Sequence, residues 1–350
     1  MAIPMKTIPG YFNTVPGVQV GDKLISRNGE FAKEDALFLR QMGVEWVMVE
    51  GPVGEDSDVS LYKRVVREVE NEGLKVYRLA NSFYHNMDVI TLNLEGRDKR
   101  LEGYLNYIRA LGEAGVHYST YAHMANGIWR SGQTKTIRGG QHGNGLDLNS
   151  AESRGRWASK VYDPVLSHGR VYTEEELWEN YEYFISRVAR VAEDSGVYIG
   201  IHPDDPPVYT LAGIPRKIFG TFEGYKKAIE IADSPNIGVC LCCGCWLQGG
   251  ADMGKDVYET ARYFAEIGKL FKLHVRNITN PMSEPGGFAE TYPNDGYGDV
   301  PKIVRILSET GFDGCIINDH LAPMVGGSRV SAAFMTSYLM GLADAYRPKA

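Results

Sequence analysis

The chain has 350 residues, of which 43% are hydrophobic and 23% charged, as in an ordinary globular protein. Its formal net charge is −7 and its pI is about 5.7, so the sequence predicts no nucleic-acid partner, because binding a phosphate backbone requires clustered positive charge. No apolar run approaches the length of a membrane span, and the first residues lack a signal-peptide pattern, so we expect no membrane partner and a cytoplasmic location.

In chain order, short apolar runs predict strands, and longer segments of helical period predict helices. A first strand is expected near Gly10–Val15. The units that follow are strand Val44–Glu50, helix Leu61–Glu72, strand Leu74–Leu79, helix Lys99–Ala114 and strand His117–His123. A glycine follows each of these two helices, which is a common helix stop.

The strongest helix signal lies at Thr173–Ser195. Thr173 and Glu176 form a capping-box pattern, and an apolar stripe that begins at Leu177 follows it. The remaining predicted elements are strand Val197–His202, helix Thr221–Ala232, strand Ile237–Leu241, helix Asp256–Gly268, strand Leu270–Val275, helix Val300–Thr310, strand Gly314–Ile317 and a final helix near Ser331–Tyr346.

The alternation of strands and helices predicts the fold class. Strands that are apolar along nearly their whole length imply parallel pairing with both faces buried. About eight alternating units predict an α/β protein of the (β/α)8 TIM-barrel class, with residues 1–350 in a single domain. A polar stretch rich in Gly and Arg breaks the rhythm, so we assign residues 124–172 to an insertion after strand 4, over the active site. His142 and His168 fall within it and are expected to be solvated.

Polar residues cluster where the predicted strands end, which is where barrel enzymes place their chemistry. These strand ends carry Tyr84-His85, His123, His202-Pro-Asp-Asp-Pro-Pro207, Cys240-Leu-Cys-Cys-Gly-Cys245, His274-Val-Arg276 and Asn318-Asp-His320. Imidazole, thiolate and carboxylate together suit a transition-metal ion rather than Mg²⁺ or Ca²⁺. The sequence therefore predicts one divalent-metal site built around His202, His274 and Asp319.

Four of the five cysteines lie between Cys240 and Cys245. So dense a cluster on a short strand cannot form disulfides throughout, which favours a reducing compartment. A separate structural zinc site would need a second pair of ligands, and the sequence has none. Strand alternation places Cys240 and Cys242 on one face and excludes Cys243 from it, so either of the first two can supply the thiolate.

His202-Pro-Asp-Asp-Pro-Pro207, followed by Gly213-Ile-Pro-Arg216, resembles the motif of the D-mannonate dehydratase family. Leu177–Gly196, Leu241-Cys-Cys-Gly244, His274-Val-Arg276 and Asn318-Asp-His320 are similar to further family motifs in the same order. The resemblance covers roughly Glu174–His320. It implies a xylose-isomerase-like barrel and a lyase of hexuronate catabolism, which dehydrates D-mannonate or a related aldonate to a 2-keto-3-deoxy sugar acid.

Carried over to this chain, the resemblance implies metal ligation by His202, Cys242, His274 and Asp319. The implied ion is usually Mn²⁺, with Fe²⁺, Co²⁺ or Zn²⁺ as alternatives, and the implied acid–base catalyst is His320. We expect Arg276 to bind the substrate carboxylate as a fork. By analogy with related barrels we also expect a homo-oligomer, a dimer or a tetramer. The residues predicted to bind substrate are His85, His123, Asp204 and Arg216.

The sequence departs from the family pattern at three places. Ile317-Asn318 replaces an arginine or lysine near the last motif, and Phe288-Ala289-Glu290 lacks the histidine of a Phe-His-Glu loop. A catalytic tyrosine of the family falls near Ala333, which leaves Tyr297 or Tyr338 as substitutes. Two alternatives therefore stay open: a metal-dependent sugar isomerase or epimerase of the same superfamily, and a sugar-binding protein without activity.

Overall fold

The computed structural model describes residues 17–51, 58–312 and 314–347. The main strands, numbered along the chain, are β1 (Gln19–Val20, continued at Asp22–Arg27), β2 (Trp46–Glu50), β3 (Lys75–Ala80), β4 (Tyr118–Ala122), β5 (Tyr198–His202), β6 (Ile237–Cys242), β7 (Leu270–Val275) and β8 (Cys315–Asn318). The main helices are α1 (Lys33–Gln41), α2 (Val59–Asn71), α3 (Arg97–Glu113), α4 (Glu174–Asp194), α5 (Phe222–Ala232), α6 (Val257–Glu266), α7 (Val300–Glu309) and α8 (Ser328–Ala345).

The eight main strands follow one another in chain order, and each neighbouring pair except β3 and β4 forms a parallel ladder, in the arrangement of a TIM barrel. The first part of β1 pairs with β8 and its second part with β2, so β1 joins the two ends of the series. Among the described residues, β3 and β4 share no ladder, but just beyond them Asn86 bridges to Ala122 in parallel.

Local signals explain where the helices begin. At the start of α4, the Thr173 hydroxyl accepts a hydrogen bond from the Glu176 backbone amide at 3.2 Å. The Glu176 carboxylate in turn accepts a hydrogen bond from the Thr173 backbone amide at 2.8 Å. Each predicted element after the first is present, with bounds that differ by up to three residues. The predicted strand near Gly10–Val15 lies outside the described residues. Side-chain caps also begin α2, α5, α6 and α7, at Asp58, Thr221, Asp256 and Asp299.

Two barrel strands contain one extra residue each. Between β2 and β3, Val47 pairs with Val76 and Met48 with Arg78, so Tyr77 is the extra residue of β3. The register between β6 and β7 shifts in the same way, which leaves Phe271 over before Lys272. Such β-bulges re-aim the side chains that follow them. As a result, the Arg78 and Lys272 side chains both reach the Met48 sulfur in the barrel interior, at 3.2 and 3.8 Å.

The segment between β4 and α4 has strands of its own. Its strands are Ile128–Arg130, Gly132–Thr136, His142–Leu146, Arg154–Trp157 and Lys160–Val161. His142–Leu146 pairs with Phe288–Thr291, which belongs to the connection after β7 and also pairs with Asn277–Ile278. The expectation that His168 is solvated is wrong: its side chain is 8% exposed and lies 3.4 Å from Asp88.

Several shorter elements complete the described chain. They are strands Glu30–Phe31, Thr210–Leu211 and Ile214–Pro215, helices Asp88–Thr91 and Cys243–Gly249, and 3-10 turns Ser82–Tyr84, Arg138–Gly140 and Gly250–Met253. The sequence patterns did not predict α1 or these short helices. Among the described helices, none combines the length and the apolarity that crossing a bilayer requires.

Candidate metal centre

Four predicted metal ligands meet at one end of the barrel. His202 ends β5, Cys242 ends β6, His274 lies near the end of β7, and Asp319 directly follows β8. One potential ligand atom from each residue lies within 4.8 Å of the other three. Because parallel strands end at the same face of a barrel, residues that are far apart in sequence converge here. Two imidazoles, a thiol and a carboxylate form a ligand set suited to a divalent transition-metal ion.

The hydrogen bonds around the cluster suit metal binding. The His202 Nδ1 atom lies 2.7 Å from the Pro203 carbonyl, which can only accept, so Nδ1 carries the proton and Nε2 keeps a free lone pair. Burial opposes ionisation of Asp319, but the neighbouring His320 and His274 hold the pKa of its carboxyl well below the ordinary value. The Asp319 carboxylate is therefore available as an anionic ligand.

The structure selects Cys242 rather than Cys240 as the cysteine of the cluster. The Cys242 sulfur lies 3.8 Å from Asp319 Oδ2, whereas Cys240 lies two residues earlier in β6. Burial opposes ionisation of Cys242, yet Cys245 and Arg276 hold the pKa of its thiol well below the ordinary value. A thiolate and a carboxylate this close in a buried site require a compensating cation. The residues present therefore fit a bound divalent metal.

Two arginines and two carboxylates form a charge network beside the ligands. Arg130 donates to both oxygens of Asp205 at 2.9 Å and to Glu290 at 2.8 Å. Arg276 donates to Asp205 at 2.8 Å and to Glu290 at 3.2 Å. The guanidinium of Arg276 is buried and bound to protein carboxylates, so these contacts lend no support to the expected fork onto a substrate carboxylate. Arg276 holds the network in place instead.

His320 connects this network to the metal ligands. Its Nδ1 atom lies 2.7 Å from Glu290 Oε1, and its Nε2 atom lies 3.6 Å from Asp319 Oδ2. Burial alone would lower the pKa of His320, but Glu290 and Asp319 raise it above the ordinary value. Burial alone would raise the pKa of Glu290, but the charges of His320 and Arg130 lower it to about 2. An ionised Glu290 thus favours the protonated form of His320.

A cavity of about 260 Å³ lies against the candidate metal ligands His202, His274 and Asp319. The residues that also line it include Arg78, His85, Trp157, Asp205 and His320. Trp157 comes from the insertion, and its ring lies 5.2 Å from that of His85. An adjoining cavity of about 880 Å³ shares Lys23, Asp319 and His320 with it. The metal ligands therefore face a space that a small molecule can enter.

His123, predicted to bind substrate, is not among the described residues that line this cavity. Its ring packs against Tyr181, Phe184 and Phe219, with ring centroids 5.2–5.6 Å apart. Neither ring nitrogen has a hydrogen-bond partner within the described chain, and burial lowers the pKa of His123 to about 3. The structure places His123 in an aromatic pocket outside the barrel, which lends no support to the predicted role in substrate binding.

Asp204 and Arg216 are also placed beneath the site rather than in the cavity. Their side chains lie 3.7 Å apart, and both are buried. Burial raises the pKa of Asp204 to about 7, against the opposing effect of Arg216. Arg216 binds the turn after β5 to the start of the insertion, and it donates to the oxygens of Pro206, Asp205, Asn126 and Gly127. These contacts support the turn, and they lend no support to the predicted roles of Asp204 and Arg216 in substrate binding.

The sequence patterns missed several residues at the site. Asp205 belongs to the His202–Pro207 motif and Glu290 to Phe288-Ala289-Glu290, so the sequence motifs already contain both residues. Arg130 and Arg78 carried no local signal. Among the described residues that line the cavity there is no tyrosine. The suggested substitute Tyr297 donates instead to the Leu247 carbonyl.

Solved structures define the class of fold. The chain superposes on mannonate dehydratase from Streptococcus suis serotype 2 with a TM-score of 0.79 and 24% identity, over 95% of this chain and 97% of that one. A xylose isomerase domain protein from Planctomyces limnophilus superposes with a TM-score of 0.59 and 14% identity, over 95% and 98%. The fold is that of the xylose-isomerase-like TIM barrels, as predicted.

Sequence comparison identifies the family. The family model for D-mannonate dehydratase (UxuA) matches residues 34–153 and 160–348. Mannonate dehydratase from Geobacillus thermodenitrificans is 30% identical over 336 residues, which cover 86% of this chain and 87% of that protein. Mannonate dehydratase from Streptococcus uberis is 29% identical over 326 residues, with 87% and 91% covered. The chain belongs to the D-mannonate dehydratase family, which confirms the resemblance seen in its motifs.

Proposed function

We propose that this protein dehydrates an aldonate, D-mannonate or a close relative, to the 2-keto-3-deoxy sugar acid. The observation that carries the proposal is the cluster of His202, Cys242, His274 and Asp319, with His320 beside it at a cavity. The names of the relatives support the same reaction.

The residues that would hold the metal are His202, Cys242, His274 and Asp319, and we propose Mn²⁺ as the ion, in line with the family resemblance. When bound, the ion supplies Lewis-acid stabilisation of the negative charge that develops when the proton α to the carboxylate leaves. The four residues lie at strand ends on the same face of the barrel, so they would hold the ion beside the cavity, where the substrate would bind.

We assign the general acid to His320. Dehydration requires a proton for the hydroxyl that leaves from the carbon next to the α-carbon. The imidazolium of His320 donates through Nδ1 to Glu290, which leaves the Nε2 proton for transfer. The carboxylates of Glu290 and Asp319 raise the pKa of His320 above its ordinary value, which favours retention of that proton.

We assign the base to His85, which was predicted to bind substrate. Its Nδ1 atom lies 3.2 Å from the Thr120 carbonyl, so Nδ1 carries the proton and Nε2 is basic. Burial, together with the charge of Arg78, holds the pKa of His85 well below its ordinary value, so the ring is neutral. Two histidines in one cavity with pKa values shifted in opposite directions form an acid–base pair.

The test is to incubate the Mn²⁺-loaded protein with a panel of aldonates and uronates and to follow products by NMR and mass spectrometry. A 2-keto-3-deoxy acid, which has lost one water, supports the proposal. An isomeric sugar would instead support the isomerase alternative, and binding without turnover would support a sugar-binding protein. In deuterated water, His85→Gln should abolish α-proton exchange, whereas His320→Asn should retain it.

We further propose that the insertion, residues 124–172, is part of a single domain and covers the site, because its Trp157 lines the cavity and its Arg130 binds Asp205. All five cysteines are unpaired and buried, which supports a reducing cytoplasmic location. A dimer or tetramer is proposed by analogy with related barrels, and light scattering on the purified protein tests it.

A further inference from the structure

Arg78 is a buried cation that faces the cavity and has no acidic partner among the described residues. Its residue is 6% exposed, and it lines the cavity of about 260 Å³. One terminal nitrogen contacts the Met48 sulfur at 3.2 Å, and the other donates to the Thr120 carbonyl at 3.4 Å. Its Nε has no hydrogen-bond partner, and no carboxylate of the described chain lies within ion-pair distance of it. A guanidinium buried in this way is costly unless an anion compensates its charge.

The other cations near the site are already engaged. Arg130 and Arg276 are bound to Asp205 and Glu290. Lys23, which also lines the cavity, donates to the Asp319 carbonyl at 2.7 Å and lies 3.9 Å from the Glu50 carboxylate. Among the described residues that line this cavity, Arg78 is thus the arginine whose N–H groups can still donate to a ligand.

The position of Arg78 also suits an acid substrate. The bulge at Tyr77 turns Arg78 into the barrel, and Arg78 shares the Thr120 carbonyl with His85, the proposed base. A carboxylate bound to Arg78 would therefore place its α-carbon near His85. The positive charge of Arg78 would also stabilise the negative charge that forms on that carboxylate when the proton leaves.

We propose that Arg78 binds the carboxylate of the substrate and makes this cavity selective for sugar acids over uncharged sugars. This inference rests on the proposed function for the identity of the substrate, and it replaces Arg276 in the role that the sequence suggested. Arg78 is then a specificity-determining residue, which acts together with the metal ligands on the same end of the substrate.

The test compares an acid with its uncharged counterpart. In Mn²⁺-loaded protein carrying His320→Asn, calorimetry measures the affinity for D-mannonate and for D-mannitol, which has the same carbon chain without the carboxylate. Adding Arg78→Gln should weaken mannonate binding by at least about tenfold, since a bidentate charged contact is lost, and should leave mannitol binding unchanged. Metal content, measured by mass spectrometry, should remain stoichiometric. Unchanged affinity for mannonate would overturn the inference.

Two further variants separate a binding role from a structural one. Arg78→Lys keeps the charge but loses the fork, so it should bind mannonate with intermediate affinity even if Arg78→Gln folds poorly. The matched control is Lys272→Met, which removes a second buried basic side chain that contacts the same Met48 sulfur but is not among the cavity-lining residues. It should change mannonate affinity by less than about threefold, because no donor to the ligand is removed. An equal loss in Lys272→Met and Arg78→Lys would contradict a specific role for Arg78.

The inference and the proposed function can fail separately. If the protein dehydrates aldonates and Arg78→Gln leaves their KM unchanged, the role of Arg78 is wrong while the function stands. If the protein dehydrates none of them, but binds the carboxylate of mannonate in a manner that depends on Arg78, the function is wrong while the role of Arg78 stands.

Discussion

Two histidines that follow barrel strands have opposite surroundings. His123, after β4, is enclosed by aromatic rings, and burial lowers its pKa to about 3. His320, after β8, lies 2.7 Å from the Glu290 carboxylate, and its pKa is raised. Both residues end strands, both are histidines, and both looked functional in the sequence. Only the one with ionised partners is equipped to transfer a proton.

The difference arises from the alternation of side chains along a strand. In β4, Tyr118 and Thr120 point into the barrel, where Tyr118 packs in the interior cluster and Thr120 meets Arg78. His123 is out of phase with them and packs against Phe184 of α4. His202, in β5, pairs in register with Ala122 and so points inward. A strand end therefore identifies a functional residue only when its phase along the strand is also known.

The largest expected effect comes from removing a metal ligand near His320. Asp319→Asn should weaken Mn²⁺ binding by at least about 100-fold, because loss of a group that merely supports a ligand already costs about 10–100-fold. Metal content after dialysis measures this, and the variant should lose the gain in Tm that Mn²⁺ gives the native protein. Asp194→Asn, at the exposed end of α4, is the control and should keep its metal. Stoichiometric metal in Asp319→Asn would exclude this carboxylate as a ligand.

The next prediction contrasts the two histidines directly. His320→Asn should lower kcat by roughly 10²–10⁴-fold, the range for loss of a general acid or base, while metal content is retained. His123→Leu should change kcat by less than about twofold, because its ring does not reach the cavity and any effect passes through packing alone. Steady-state kinetics on both variants decide the matter. Comparable losses would mean that the two environments do not determine the roles.

Glu290→Gln should make the surroundings of His320 more like those of His123. Removing the carboxylate at 2.7 Å takes away an interaction that raises the pKa of His320. Since the acid must be protonated, kcat falls as pH rises through this pKa. The alkaline decline should therefore start at a lower pH in the variant. A pH–rate profile that keeps the native position would show that Glu290 does not tune His320.

The smallest effect concerns stability. His123→Leu removes two buried ring nitrogens that have no partner in the described chain, and it keeps an apolar side chain of similar size. Removing such groups relieves a desolvation penalty of about 1–3 kcal/mol, so the free energy of unfolding should rise by about 1 kcal/mol. Thermal or urea unfolding measures it. A loss of stability instead of a gain would indicate that the ring nitrogens are satisfied by water.

The cluster of candidate metal ligands could be predicted from the sequence because each member lies at the end of a strand whose apolar run is easily seen. His202, His274 and Asp319 needed only the rule that parallel strands end together. The charge network could not be predicted in this way. Arg130 and Glu290 are 160 positions apart and meet through the pairing of His142–Leu146 with Phe288–Thr291, and no local pattern specifies that pairing.

The phase of a side chain was also beyond the sequence. Strand β3 looks like a regular apolar run, and nothing in Leu74–Leu79 indicates that Tyr77 is left over when β2 and β3 pair. His123 was misplaced for a related reason, since its position at a strand end hid the fact that it faces the helices. Registers and bulges depend on how neighbouring strands fit together, which is a property of the assembled barrel.

The bulge in β3 ties the choice of substrate to the way two strands are matched. Tyr77 packs in the barrel interior, so strict alternation beyond it would turn the guanidinium of Arg78 toward the helices and leave the cavity with one positive charge fewer. If Arg78 selects for a carboxylate, a relative with the same residues but an unbroken ladder between β2 and β3 would be better matched to neutral sugars. Ladder irregularities in a barrel of this kind can thus change specificity without the replacement of any chemical group.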